Sequence, residues 1–293
     1  MIRSASLLAA LALAVGACQP GATDAPAADS AAAPGRIVSL GGAVTETLYA
    51  LGLGDAVVAV DASSVWPAAA REKAQVGYFR ALSAEPILGQ KPDVIVLDAG
   101  SGPPNALAQL EAAGVRLVYV GGGAAVDSVA RNIETIAAAV GRAARGRVLV
   151  DSLRAQVARA MARVPEGPRP RVVYVQGQGG GALGLAGGGS HADALVTMAG
   201  GTNPFASVNG YKPLTSEALA GAAPDVLVAT ARTVAVAGGP EAFLARPGLA
   251  QTPAARTRRL VVLEDRHLIF GPSLGEAVDV LARALHADTA AAR

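Results

Sequence analysis

The chain has 293 residues, 16% of them charged, a formal net charge of +2 and one cysteine, Cys18. That length accommodates one large domain or two ordinary ones, each able to bury a core. So small a charge offers no basic surface for nucleic acid, and a single cysteine excludes a disulfide within the chain.

At the N-terminus, Arg3 precedes an apolar stretch from Ala5 to Val15, followed by Gly16-Ala17-Cys18. The stretch is too short for a bilayer of about 30 Å and has the layout of a secretory signal. Cys18 stands where a bacterial lipobox places its cysteine, so residues 1–17 read as a lipoprotein signal peptide and Cys18 as the lipidation site. The alternative is ordinary signal cleavage beside an incidental cysteine. Either way the mature protein is outside the cytoplasm, and the lipobox reading makes it a periplasmic lipoprotein that meets the membrane only through its anchor. Gln19 follows Cys18 in place of an Asp retention signal, which leaves inner and outer membrane both open. Residues 18–35, rich in Ala, Pro, Gly and Asp without apolar periodicity, predict a disordered tether. Stretched at ~3.3 Å per residue, it reaches roughly 55 Å.

From Arg36, short apolar runs alternate with helical patterns: RIVSL, a helix over Val44 to Leu51, AVVAV, DVIVLDA, a helix over Pro104 to Ala113, and VRLVYV. The grammar returns after Pro170 with RVVYVQ, a helix over Ala192 to Ala199, PDVLVAT, RRLVVLE and a helix over Leu274 to Leu285. Such alternation predicts an α/β fold with mainly parallel sheets. Between the two series, Val148, Leu149, Leu153, Val157 and Met161 recur at helical spacing, so one helix of about six turns is expected before Pro165. The expected architecture is two Rossmann-like lobes, residues 36–142 and 165–293, joined by a helix over 143–164, with a ligand cleft between them.

A motif that occurs twice supports two lobes. GYFRALSAEPILGQKPDVIV from Gly77 returns as GYKPLTSEALAGAAPDVLV from Gly210, with one residue fewer between Tyr and Leu. A distant echo of this kind points to related halves, since solenoid repeats are short and tandem. The glycine-rich stretch GQGGGALGLAGGGSH lacks the Gly-Lys-Ser/Thr ending of a phosphate loop and the second Gly of a nucleophile elbow. It reads instead as a tight, mobile turn.

In an extended loop residues two apart face one side, so Tyr78 and Arg80 are expected to share a space while Phe79 points away. A phenolate is a hard anionic ligand suited to ferric iron, and Tyr serves as a proximal haem ligand in some proteins. A phenol's ordinary pKa near 10 must fall for this, which both a metal and a guanidinium favour. Arg80 is alternatively placed to hold a ligand carboxylate. For the dipeptide alone, a half-buried structural tyrosine is the competing account.

Nearly the whole mature chain resembles the periplasmic haem-binding proteins of bacterial haem ABC importers, a branch of the helix-linked binding proteins that also serve siderophores and cobalamin. The stretches that carry the resemblance are RIVSLGGAVTETLYALGLGDAVVAVD, VGYFRALSAEPILGQKPDVIVLDAGSGPP, GYKPLTSEALAGAAPDVLVAT, and LARPGLAQTPAARTRRLVVLED followed by HLIFGPS. The first and third belong broadly to the superfamily; the second is the one specific for haem. The resemblance implies that Tyr78 is the axial iron ligand, that Arg80 supports it, and that haem is captured and delivered to a permease without catalysis. It also implies that Glu85 and Glu217, equivalent in the two motif copies, dock onto the two subunits of a two-fold symmetric permease with its ATPase. Each glutamate otherwise complements its own helix dipole. The protein is expected to act as a monomer.

Other candidates for supporting haem are weaker. Tyr211 echoes Tyr78, but Lys212 follows it and no Arg stands two residues on, so it reads as pocket wall or core. His191 at a helix start offers an imidazole for the distal iron face or a second haem, although the family usually has a small residue nearby. Where the family reads FGP followed by Arg, this chain has Ser273, and Arg232 after the PDVLVAT strand is a substitute for propionate contact. His267 is expected to line the cleft or to make a structural hydrogen bond. Trp66, Phe79 and Phe205 offer flat apolar surface. The rivals are the same architecture binding a ferric siderophore or cobalamin, and an exported enzyme using the cleft. The enzyme reading lacks a cluster of His, Asp and Glu at ligand spacing, the three histidines being far apart in the chain. An extracytoplasmic haem store or sensor without a permease is a third.

Overall fold

The computed structural model describes residues 34–178 and 182–290. The signal peptide, Cys18 and the tether up to residue 33 lie outside the described residues.

The first half is built from β1 (Ile37–Leu40), α1 (Gly42–Ala50), β2 (Val57–Val60), β3 (Ala74–Gln75), β4 (Gly77–Tyr78), β5 (Ala81–Leu82), α2 (Ala84–Leu88), β6 (Val94–Asp98), α3 (Pro104–Ala112), β7 (Arg116–Val120) and α4 (Val126–Ala139). Its sheet has the order β3-β2-β1-β6-β7, and every pairing in it is parallel. Central strands of such a sheet are covered on both faces, which is why Ile37–Leu40 is an unbroken, fully buried run. On one face Ile37, Val94 and Val96 pack with Val44 and Leu48 of α1 and Ile136 of α4. On the other, Val38, Ile95 and Leu97 pack with Ile87 of α2 and Leu110 of α3. Helix α4 is not among the elements expected above. Its buried residues Val129, Ala130, Ile133, Ile136 and Ala137 nonetheless follow helical spacing.

After α5 (Ala143–Met161), the second half contains β8 (Val172–Gly177), β9 (Leu183–Ala186), α6 (His191–Met198), β10 (Tyr211–Pro213), α7 (Ser216–Ala222), β11 (Val226–Thr230), α8 (Ala231–Val236), α9 (Pro240–Leu244), α10 (Pro253–Arg256), β12 (Leu260–Leu263) and α11 (Leu274–Ala290). The sheet order is β10-β9-β8-β11-β12. Strands β8, β11 and β12 are parallel, whereas β9 and β10 join antiparallel. The turn expected of the glycine-rich stretch falls in part on residues 179–181, which lie outside the described residues, and β9 runs through the remainder. Gly187 and Gly188, just after β9, have a packing reason: a Cβ on Gly187 would overlap the Val208 carbonyl, and one on Gly188 the Ala206 carbonyl. Direct backbone contact replaces side chains there, through Gly187 N–H to Gly210 O at 2.7 Å and Gly188 N–H to Val208 O at 2.7 Å.

The two halves share apolar contacts through α5. Val150, Leu153, Val157 and Ala160 of that helix lie in one buried cluster with Val129 and Ile133 of α4, Val278 and Leu281 of α11, and Val172 and Val228 of the second sheet. Glycines let the three helices approach closely. A Cβ on Gly146 of α5 would overlap that of Ala137 of α4, and one on Gly275 of α11 would overlap Gln156 of α5.

Gly275→Ala is expected to lower stability by about 1–3 kcal/mol through overpacking, read as a shift of the urea midpoint. Gly221→Ala, in α7 where nothing lies within 4 Å of the added carbon, should instead raise it, by up to ~1 kcal/mol. Equal shifts for the two would contradict the close-packing account.

Candidate ligand-binding site

The first motif copy folds as a hairpin. Gly77 has φ of 98°, a conformation open to glycine, and Gly77 and Tyr78 pair antiparallel with Leu82 and Ala81. Phe79 and Arg80 thus form a two-residue turn, not the extended loop expected from alternation. The shorter second copy has no room for that turn between Tyr211 and Leu214, and β10 runs straight along β9. Tyr78 is 46% exposed, with its ring 4.9 Å from that of Phe79 in edge contact. The Arg80 guanidinium stands 5.1 Å over the Phe79 ring.

Buried Asp61 fastens this hairpin to the rest of the first sheet. Its Oδ1 accepts from Gly41 N–H and from the Ser64 hydroxyl, both at 2.8 Å. Its Oδ2 accepts from Ser63 N–H at 2.9 Å and from Phe79 N–H at 3.3 Å. Ala62 N–H also donates to Gly77 O at 2.7 Å. A charged residue following a strand carried no sequence signal for this role, which depends on three backbone segments meeting.

Two adjoining cavities lie between the halves. The larger, of about 870 Å³, is walled by Ala62, Ser63 and Arg71 from the first half and by Tyr174, Tyr211 and Arg232, among others, from the second. The smaller, of about 240 Å³, is lined by Phe79, Arg80, Asp98, His191 and Phe270. Ser63, Leu268 and Ile269 border both. The expected site residues are thereby divided: Tyr211 and Arg232 face the larger space, Arg80 and His191 the smaller. Tyr78 lines neither, standing one residue beyond the carbonyl held by cavity-lining Ala62. Volumes of this order suit a cofactor-sized ligand.

Ser190 caps α6, accepting from Asp193 N–H at 3.1 Å and donating to Gly187 O at 2.7 Å. The cap fixes His191, whose ring stacks on Phe270 at 4.4 Å. Burial lowers the His191 pKa, opposed by the nearby Asp98 charge and by bonds to the Gly123 and Leu268 backbone. Burial raises the Tyr211 pKa, opposed by the Ser190 hydroxyl and the Ala192 backbone. A phenol so held stays protonated, which suits a wall better than an iron ligand. Arg232 pairs with Asp265 at 3.3 Å.

The floor of the cleft is the segment from β12 to α11. Arg266 holds Glu276 with two bonds of 2.7 and 2.9 Å and Glu264 with one of 2.8 Å, while its guanidinium lies 4.5 Å over the Trp66 ring. Ser273 N–H donates to Glu46 of α1 at 2.7 Å, and Ser273 faces neither cavity. His267 is also absent from both linings. It is 4% exposed, and among the described residues neither ring nitrogen has a hydrogen-bond partner, contrary to both roles expected for it. Trp66 carries Arg266, and Phe205 packs on the second lobe's core; of the three aromatic candidates only Phe79 lines a cavity.

A model of the periplasmic binding protein family matches residues 37–267. The chain belongs to that family. Among solved structures, the periplasmic heme-binding protein RhuT from Roseiflexus sp. RS-1 in apo form is similar, with a TM-score of 0.82 and 37% identity, across 86% of this chain and 98% of that one. An uncharacterised ABC transporter substrate-binding lipoprotein of Bacillus subtilis strain 168, YvrC, is 26% identical over 261 residues, 87% of this chain and 81% of that protein. The vitamin B12-binding protein of Photorhabdus laumondii is 36% identical over 106 residues, 36% of this chain and 38% of that protein.

In this periplasmic binding protein, Glu85 and Glu217 each occupy the second position of a short helix, α2 and α7, with exposed side chains. Thr215 caps α7 by accepting from Ala218 N–H at 3.2 Å. Among the described residues no helix is long and apolar enough to cross a membrane.

Burial raises the pKa of Glu46, opposed by the bond from Ser273 and the charge of Arg266. An acid with a raised folded-state pKa favours folding below its unfolded value, near 4.5, and loses that contribution as pH rises through the folded value. Glu46→Gln keeps an acceptor for Ser273 N–H without the charge. Its urea midpoint relative to wild type should therefore climb between pH 4.5 and 8; a difference independent of pH would show that Glu46 does not titrate in this way.

Proposed function

We propose that this protein captures haem in the cleft between its lobes and passes it to an ABC permease. The observation that carries the reading is a pair of adjoining cavities between the halves, one of about 870 Å³ and a smaller one lined by Phe79 and Arg80 of the Tyr78 hairpin, in a chain similar over most of its length to a periplasmic heme-binding protein. Tyr78 is the axial ligand to ferric iron, and its 46% exposure leaves the phenol accessible to a ligand that extends from the cavity to the hairpin. Arg80 supports the ligand from the turn, Arg232 and Tyr211 from the second lobe, and His191 from the smaller cavity. Residues 36–142 and 165–293 act as the lobes and 143–164 as their link. Glu85 and Glu217 orient the protein on a two-fold symmetric permease, where exposed carboxylates meeting basic partners set geometry and association rate. Cys18 carries the lipid, the protein works as a monomer, and it performs no catalysis.

Hemin titration of the apo protein tests the ligand. Wild type should bind hemin, and Tyr78→Phe should change the visible spectrum of the complex and weaken binding by at least about tenfold, or 1.4 kcal/mol. An identical spectrum and affinity would remove Tyr78 from the iron.

The match to a vitamin B12-binding protein favours a second reading, in which the same cleft holds a corrinoid. Competition decides between them: cobalamin that displaces hemin at equal concentration would select the corrinoid.

Reversing charge with Glu85→Lys and Glu217→Lys together should abolish most transport in cells while hemin affinity stays at the wild-type value. Loss of hemin binding in this variant would assign the glutamates to the fold or the pocket.

A further inference from the structure

The first half meets the segment from β12 to α11 along one face of α1. Gly42 and Glu46, about one helical turn apart, share that face. A Cβ on Gly42 would press on Ile269, and one on Gly271 would overlap the Glu46 carboxylate, so a glycine on each side makes room for the contact. Glu46 is the only charged residue of α1 and is 5% exposed. Its Oε1 accepts from Ser273 N–H at 2.7 Å, just ahead of α11. Its Oε2 is buried with no hydrogen-bond partner among the described residues. The segment that Glu46 holds carries Leu268 and Ile269, which border both cavities, and Phe270, which lines the smaller one.

We propose that Glu46 is a latch between the lobes that a proton closes: as a neutral acid it keeps residues 271–273 packed on α1, and on ionising it lets them part from α1 and admit water. The inference goes beyond haem capture and is independent of which ligand the cleft takes. A carboxylate with one oxygen lacking a donor is costly to bury, and a neutral acid much less so. Burial accordingly leads the causes that raise the Glu46 pKa, joined by the charge of Glu276 and opposed by the Ser273 bond and the charge of Arg266. A raised value in the packed state favours packing at low pH, and that contribution is lost as pH rises through it. Other charges near α1 are turned away. Asp98 of β6 accepts from Gly100 N–H at 2.7 Å, and Asp127, Arg131 and Glu134 of α4 are exposed. His267 lies in the same segment, where burial and the Arg266 charge lower its pKa. It works in the opposite sense, since charging it as pH falls would open the segment, so the sign of the pH dependence separates the two groups. Because Leu268 and Ile269 border both cavities, the latch ties the shape of the cleft to one proton.

Hydrogen exchange of the apo protein, followed by mass spectrometry from pH 4.5 to 8 and corrected for the intrinsic exchange rate at each pH, tests the latch. In wild type the protection of peptides covering residues 271–277 should fall by about tenfold or more across that range, while peptides of α5 over residues 150–160 keep theirs. Glu46→Gln, which stays neutral, should hold the pH 4.5 value throughout. Gly271→Ala, whose added carbon displaces the carboxylate, should show the low value at every pH. Wild-type protection that is constant would overturn the latch, and protection that rises with pH would overturn it in favour of His267. An equal fall in Glu46→Gln, an equal loss in α5, or a wild-type profile in Gly271→Ala would each overturn it as well. No ligand is present, so the result does not depend on the hemin titration.

Discussion

Helix α5 is the element on which both lobes rest. One of its faces, through Val150, Leu153, Val157 and Ala160, is buried in a cluster that reaches from α4 in the first half to α11 and the second sheet. Leu149 also packs against the cluster beneath the first sheet. Fully burying a Val or Leu contributes roughly 1.5–3 kcal/mol, so rotating one lobe away from α5 would expose several such side chains together. Close glycine contacts at Gly146 and Gly275 leave no looser packing nearby. Small sliding movements cost such a core less than wide hinge opening. A cleft between lobes joined in this way needs little rearrangement to take up a ligand if that core stays packed.

A preformed cleft needs its walls fixed from both sides, and buried polar contacts supply this. Asp61 gathers the β1–α1 turn, Ser63, Ser64 and the Tyr78 hairpin onto one carboxylate. Its Ser64 partner continues to Thr45 at 2.7 Å and on to Ser39 at 2.6 Å. Acceptors that bind several donors lose little by burial. The hairpin is thus held by its backbone while the Tyr78 side chain stays exposed.

Strands were legible in the sequence where both faces of a parallel sheet are covered. Val94–Leu97 and Val226–Ala229 are apolar runs, and Ile37–Leu40 is broken only by Ser39, because these residues are buried on both faces of a sheet. Strand β9 was hidden because the glycines around it carry the signature of a turn, and β10 because it is a three-residue edge strand, Tyr211–Pro213, that ends in proline. The motif duplication was visible, yet the missing residue in its second copy decides between a hairpin and a straight edge strand only once the turn is seen. The exposed pair Glu85 and Glu217 could be read directly from register. Glu46, Asp61 and Arg71 could not. A lone charged residue has no local signature of facing a space that forms between two distant segments.

The segment from β12 to α11 shows why these hidden charges gather at one place. It forms the shared border of the two cavities through Leu268 and Ile269 and must also bridge the lobes. Trp66 and Glu46 from the first half meet Arg266 and Ser273 from the second within this stretch. Arg266 holds Glu264 and Glu276 below the usual carboxylate pKa range and is itself kept charged by them. An apolar joint would serve the core equally well, but directional bonds fix the angle between parts as well as their contact. Bonds of that kind suit the floor of a cleft whose walls belong to different lobes, because a ligand bound by both walls depends on their separation.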